Sequence, residues 1–364
     1  MAAKQNLGVY SLEEAAAQCR MALSLLEHDA ACADDAALAD LLADFASILQ
    51  LQFEILSLIG IVETWMGRVD RLGNEKHAAV MLHHYAMALL WACRYRDAQA
   101  AQRKLSSMAE SLQDDEAIVC AFAVRVQVEM TLAPRPAAEI KDESQAALAA
   151  ASRLGNVYPG LWLRLSLGMD ALHRGLTRRA DAYAREMIEV GRRAGDPRAL
   201  GLGLWLLSQN ATINDDYQAG LEFGQQGLHA AITPMEEFTN MNNTANSLVL
   251  LKRLREGVPL LEEARRRDAE KGCAMFLAMT DPVWGVAQMM QGRLAEGIAF
   301  IKNAIVRREQ EGYRAAADWY RMILCYVYID VFEGREKPSL GVSGITPERV
   351  IPGHLTDEDL DALL

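Results

Sequence analysis

Apolar residues recur along this chain at helical spacing, in stretches of roughly 15 to 18 residues separated by turn signals. The stretch after Gly175 is representative. Ala180, Tyr183, Ala184, Met187 and Gly191 fall at i, i+3, i+4, i+7 and i+11, while Arg178, Asp181, Arg185 and Glu189 take the opposite side. That pattern predicts an amphipathic helix with one face in a core. No run alternates with a period of two, so the fold class is all-α. The longer connections carry Gly or Pro: Leu72-Gly73-Asn74, Leu154-Gly155-Asn156, Ala194-Gly195-Asp196-Pro197, Thr233-Pro234, Lys271-Gly272 and Glu311-Gly312. Tighter turns fall between them, at Arg94-Tyr95, Arg174-Gly175, Asp215-Asp216 and Gln291-Gly292. Gly155 to Gly195 is 40 residues, as is Gly272 to Gly312, so each period holds two helices.

A ladder of small residues runs through the second helix of each pair. Ala98, Ala180, Gly220, Gly257 and Gly297 follow the tight turns at steps of 82, 40, 37 and 40, the first step holding two periods. Gly227, Ala264 and Ala304 stand seven positions beyond the last three rungs. Small residues in such register let stacked helix pairs approach closely. They predict a tetratricopeptide-like helical-repeat solenoid, wound as a right-handed superhelix. The repeat of about 40 exceeds the usual length of about 34. First helices are expected on the inner surface and second helices on the outer. Seven to eight pairs would occupy residues 1–333, opening on a lone second helix at Leu12–Leu26 with Ala15 and Ala22 at the small positions. Pro338, Pro347 and Pro352 mark 334–364 as an irregular tail, in which Thr356-Asp357-Glu358-Asp359 can open a short helix over Leu355–Leu364. A half-repeat at one end and a tail at the other are expected of a piece of a longer array, or of a protein that associates end to end.

Composition narrows the partners. Of 364 residues, 51% are hydrophobic, enough for a sizeable core, and the net charge of −12 disfavours nucleic acid and anionic membrane surfaces. The most apolar window, Phe45 to Trp65, is interrupted by Gln50, Gln52, Glu54 and Glu63, so no membrane span is expected. The N-terminal residues lack the apolar run of a secretory signal. The six cysteines (Cys19, Cys32, Cys93, Cys120, Cys273 and Cys325) form no CxxC pair and are read as reduced thiols in a cytoplasmic protein.

Motifs for chemistry are absent. The sequence holds no Gly-Lys dipeptide, no HExxH and no GxSxG, and Gly201-Leu202-Gly203 lacks both the third glycine and the preceding strand of a dinucleotide site. His77, His83 and His84 are spaced too poorly to converge on a metal. No catalytic residue, cofactor or metal ligand is therefore assigned. Two groups remain as candidate contacts. Asn240, Asn242, Asn243 and Asn246 sit on a first helix, where their amides would either hold an extended peptide in the inner groove or bond to the next repeat. Of the six tryptophans (Trp65, Trp91, Trp162, Trp205, Trp284 and Trp319), most would fill the core between repeats. Trp319, with Arg321, is the expected contact on an exposed end.

Five stretches, in order, resemble one family: DLLADFASILQLQ from Asp40, RVDRLGN from Arg68, LHHYAMALLWACRYRDA from Leu82, GLGLWLLSQNATINDDY from Gly201 and EGYRAAADWYRMILCYVYI from Glu311. Together they are similar to the C-terminal helical-repeat region of large bacterial class III adenylate/guanylate cyclases, over roughly residues 8–338. The resemblance implies a regulatory or sensing region that acts on cyclase and ATPase domains, in cis or in trans, through protein or peptide contacts. It carries over no functional residue, because the cyclase aspartates and the ATPase phosphate loop belong to domains absent here. After Gly334-Arg335-Glu336-Lys337-Pro338 the family implies further repeats, and this sequence departs from it. A second reading is an effector-sensing helical domain of the kind found in maltose-activator-type transcription regulators, against which the lack of a helix-turn-helix counts. A third, an enzyme on a helical-repeat toroid, lacks any convergent acid, base or nucleophile.

Overall fold

The computed structural model describes residues 11–28, 35–71, 75–132, 135–136 and 139–332. Among these there are sixteen α-helices and no strand. In chain order they are α1 (Leu12–His28), α2 (Asp35–Leu51), α3 (Ile55–Arg71), α4 (Glu75–Trp91), α5 (Tyr95–Leu112), α6 (Asp115–Leu132), α7 (Lys141–Ala151) and α8 (Tyr158–His173), followed by α9 (Thr177–Ala194), α10 (Arg198–Ile213), α11 (Tyr217–Ala230), α12 (Pro234–Leu250), α13 (Leu254–Lys271), α14 (Ala274–Met290), α15 (Leu294–Gln310) and α16 (Arg314–Phe332). No described helix is long and apolar enough to cross a membrane. The helix expected at Leu12–Leu26 is α1. The tail expected over 334–364 lies outside the described residues.

The helices alternate in character. The even-numbered helices α2 to α14 are buried on nearly all sides; in α8 every residue from Tyr158 to Leu172 is buried, whereas α16 leaves Trp319 and Met322 exposed. Odd-numbered helices bury one stripe, which in α9 is Ala180, Tyr183, Ala184, Met187 and Gly191, the face read from the sequence. The small-residue ladder explains how closely the two kinds approach. A methyl group on Gly257 would stand 2.9 Å from both Leu248 Cβ and Val249 N, and one on Gly220 would stand 2.7 Å from Thr212 Oγ1. Ala98, Ala180, Ala264 and Ala304 are fully buried.

A repeated backbone device makes the tight turns. The residue two places before α3, α5, α9, α11, α13 and α15 is left-handed in each case: Phe53, Cys93, Gly175, Asp215, Lys252 and Gly292, with φ between 58° and 89°. The next residue's N–H returns to the carbonyl five positions back, as from Glu54 to Leu49 (2.8 Å), Arg94 to Leu89 (2.8 Å) and Arg253 to Leu248 (2.9 Å). This is a Schellman closure of the helix end, and glycine suits it best. Phe53, Cys93, Asp215 and Lys252 adopt it without glycine's freedom. For two of them the side chain supplies a reason.

Phe53 and Cys93 point into the junction where the array closes on itself. α2 packs against α12, α4 against α14 and α6 against α16, so each of these inner helices meets the one five pairs further on. The Phe53 ring, wholly buried, lies 5.3 Å from Phe238 and 5.5 Å from both Phe276 and Trp91, measured between centroids. Trp91 in turn meets Trp162 (5.6 Å), and Trp205 meets Phe276 (6.0 Å). Around this aromatic centre Glu54 pairs with Lys271, Arg308 Nη1 lies 3.6 Å from Cys93 Sγ, and Tyr95 packs on Tyr313. One large core therefore links residues from Leu12 to Val327, with a smaller cluster around Leu261 between α12, α13 and α14. The inner groove expected from the sequence is filled by the protein's own rings.

Two outcomes follow from this geometry. Phe53→Ala should destabilise the fold by about 3–5 kcal/mol, the usual effect of emptying an aromatic core site; a loss below about 1 kcal/mol in urea unfolding would show that the ring is dispensable. Lys252→Gly should instead raise stability by roughly 1 kcal/mol, because Lys252 is exposed and its left-handed backbone is strained. The same titration reads it out as a higher midpoint.

Candidate functional site

Closure of the array decides what the asparagines on α12 do. Asn240 is wholly buried, and its Nδ2 donates to the carbonyls of Gly201 on α10 (3.1 Å) and Glu236 (2.9 Å). Asn243 Nδ2 donates to the Trp205 carbonyl (3.0 Å), and its Oδ1 accepts from Gln209 Nε2 (2.7 Å). Asn242 donates to the Phe238 carbonyl (3.0 Å) and approaches Asp268 Oδ1 (3.4 Å). Only Asn246 is part-exposed, and its buried Oδ1 has no protein partner. The groove placement of this patch is thus corrected. Three of the four amides stitch α12 to α10 and α13, because inner helices packed from both sides leave no room for a peptide.

The buried titratable groups are likewise absorbed by the fold. His84 sits between Gln50 Oε1 and Ser47 Oγ (2.8 Å for the latter), and His83 Nδ1 faces the Cys120 carbonyl (3.4 Å). Burial pulls His83 down to about 4 and His84 well below the ordinary imidazole value. His77 is separate from them and pairs with Asp40. Asp281, 2% exposed, is held by Arg265 Nη2 at 2.9 Å and Arg307 Nη2 at 3.3 Å. Burial pushes the Glu236 and Asp268 carboxyls up to about 7. Glu236 still accepts from the Ile232 N–H (3.0 Å), closing the start of α12. Burial also lifts the Cys19 and Cys93 thiols to about 11, which leaves them poor nucleophiles. Among the described residues no group of three His, Cys, Asp or Glu side chains is placed to hold a metal.

What remains open lies on rims and ends. Trp319 is 41% exposed and Met322 40%, on α16. Arg321 beside them is engaged by Glu309 and by Asp318 Oδ1 (2.8 Å), so it is a paired group and not a free cation. Two crevices are charged. One, of about 510 Å³, lies between Lys76, Asp114, Asp115, Glu116, Arg153 and Asn156, with Lys76 and Asp114 paired at 3.1 Å. The other, of about 320 Å³, lies at the junction itself, between Glu13, Glu14, Gln52, Glu54, Ile232 and Lys271. It brings the start of α1 and the α2–α3 turn against the start of α12 and the end of α13. The sequence holds no local signal for this crevice, since its two sides lie about 200 residues apart. No protein-family model matches this chain, and no curated protein matches it.

The buried acids and imidazoles give the stability a pH signature with opposite signs. Glu236 keeps its proton to about pH 7 in the folded state but releases it near 4.5 when unfolded, so its contribution is intact below 4.5 and lost as pH rises to about 7. His83 is neutral when folded down to about 4 and titrates near 6.5 when unfolded, so its contribution is intact above 6.5 and lost as pH falls toward 4. Glu236→Gln should therefore gain on the unsubstituted protein by roughly 3 kcal/mol between pH 4.5 and 8, measured by urea midpoints. A difference that stays constant with pH would contradict the burial of an ionisable carboxyl there.

Proposed function

We propose that this chain is a non-catalytic, cytoplasmic tetratricopeptide-like scaffold, the regulatory or sensing region of a cyclic-nucleotide signalling protein. In this reading a basic segment of a partner, such as a cyclase or ATPase domain in cis or in trans, docks in the crevice at the junction. The repeat architecture is supported by the starts of the inner helices, at residues 35, 75, 115, 158, 198, 234, 274 and 314. Five of the seven steps are 40, and the other two are 43 and 36. The cyclase link rests on the ordered resemblance described above.

The observation that carries the reading is the position of the crevice. Its walls come from both sides of the closure, so an occupant gains its full set of contacts only when the array is closed. Such a ligand shifts the population toward the closed form, which is what a sensing element requires. Its lining holds Glu13, Glu14 and Glu54 against the single cation Lys271, which already pairs with Glu54. With a chain charge of −12 around it, the crevice favours lysine- or arginine-rich segments. A second reading has one observation in its favour: about 320 Å³ is within the range of small-ligand sites, as a metabolite-sensing domain of the maltose-activator type would need.

Fluorescence anisotropy with short basic and acidic peptides separates these readings. The basic peptide should bind, and Glu13→Gln, Glu14→Gln and Glu54→Gln together should weaken it about tenfold or more, with folding unchanged by circular dichroism. Equal binding of both peptides, or no effect of the three substitutions, would remove the docking proposal. Thermal stabilisation by a small metabolite in place of a peptide would favour the second reading.

A further inference from the structure

The crevice at the junction has two walls of different chemistry. The wall from the first part of the chain carries three carboxylates, Glu13 and Glu14 at the start of α1 and Glu54 in the α2–α3 turn. Glu13 and Glu14 are exposed, and among the described residues no cation pairs with either. The wall from the second part holds Ile232, Pro234 and Lys271. Lys271 is already paired with Glu54, so what this wall offers an occupant is apolar. Ile232 is 38% exposed, a large apolar side chain turned outward. A single exposed apolar residue is ordinary on a protein surface. The position of this one matters, because it stands across a crevice of about 320 Å³ from unpaired carboxylates.

Both walls project from backbone that the fold holds in place. The Ile232 N–H donates to Glu236 Oε2 at 3.0 Å, and Glu236 is wholly buried. Pro234 stands in the first turn of α12, where a helix needs no N–H from it. On the other side Leu12 and Ala15 anchor the start of α1 in the core, so Glu13 and Glu14 extend from a helix whose opposite face is buried. The Glu54 N–H is tied to the Leu49 carbonyl at 2.8 Å. Little backbone ordering is therefore required of the protein when something binds. An occupant that is only cationic meets the first wall and sets like charge beside Lys271. One that is only apolar meets the second wall and shields the free carboxylates from water without pairing them, which is costly. A segment with one face of each kind satisfies both walls.

We infer that the junction crevice selects an amphipathic basic segment, with a lysine or arginine facing Glu13 and Glu14 and an adjacent apolar side chain facing Ile232 and Pro234. The inference rests on the reading of this crevice as a docking site and adds what that site discriminates: charge alone does not define the occupant. The apolar contact also carries the coupling to closure. Glu13, Glu14 and Glu54 belong to one wall, so a purely basic segment meets them whether the array is open or closed. The apolar neighbour finds Ile232 opposite the carboxylates only when the two walls come together. A two-faced segment therefore differs in affinity between the two states, and that difference is what shifts a population.

The test measures fluorescence anisotropy of three labelled peptides of equal length on the full 364-residue chain: lysine alternating with leucine, lysine alternating with serine, and glutamate alternating with leucine. The lysine–leucine peptide should bind about tenfold more tightly than the lysine–serine peptide, and the glutamate–leucine peptide should not bind. Ile232→Ser should bring the lysine–leucine peptide down to the affinity of the lysine–serine peptide and leave the latter unchanged. Its circular dichroism spectrum should stay the same, since the backbone bond from residue 232 to Glu236 is kept. Glu13→Gln with Glu14→Gln, on the opposite wall, should instead weaken both lysine peptides. Three results would overturn the inference: equal affinity of the two lysine peptides, binding of the glutamate–leucine peptide as tight as that of the lysine–leucine peptide, or an Ile232→Ser variant that weakens both lysine peptides alike. If neither lysine peptide binds, the docking reading fails and the inference falls with it, whereas equal binding of the two leaves that reading intact and removes the inference alone.

Discussion

The insertion of the Phe53 ring between α12 and α14 is the constraint on which the rest of the structure depends. Helix pairs stacked in a line touch only their neighbours, and their stability is a sum of local terms. Here a turn near one end reaches rings contributed by helices near the other, and that contact joins local stacks into one core. Its energetics explain an otherwise costly backbone. Left-handed geometry costs a side-chain-bearing residue roughly 1–2 kcal/mol, whereas burying a phenylalanine ring contributes about 1.5–3 kcal/mol before its specific aromatic contacts. At Phe53 the second quantity exceeds the first. At Lys252, where the side chain is exposed, nothing offsets the strain.

Closure also redistributes where function can reside. Inner helices that would line an open channel are buried all round, so their polar side chains become ties between helices. Asn240 and Asn243 bond to carbonyls of α10, and Asp281 is wrapped by arginines from α13 and α15. Among the described residues, what stays uncovered lies on rims and ends, as at the junction crevice and at Trp319 and Met322 on α16.

Much of this was legible in the amino-acid pattern. The stripe Ala180, Tyr183, Ala184, Met187 and Gly191 is the buried face of α9, and the turns at Gly175 and Gly292 fall where glycine suits a left-handed residue. Local chemistry suffices there, because a helix face and a turn are set by residues within a few positions of one another. The turn at Phe53 escaped the same reading. It lies within the apolar window from Phe45 to Trp65, and phenylalanine carries no turn signal. The asparagine patch was located on the right helix but faces packed neighbours, since whether an inner face is wet or filled depends on contacts between residues about 200 positions apart. Such contacts leave no periodicity in the chain. The exposure of Trp319 on α16 was legible as well, since it lies on the last helix the periodicity marks.

The coupling energy between Phe53 and Phe276, which come from opposite ends of the array with rings 5.5 Å apart, tests closure most directly. A double-mutant cycle of Phe53→Ala and Phe276→Ala in urea unfolding isolates it from the burial of either ring alone. Closure predicts a coupling of about 0.5–1.5 kcal/mol, the range for aromatic pairs in contact. Losses that add to within about 0.3 kcal/mol would contradict it and would return the protein to an open array with an accessible groove.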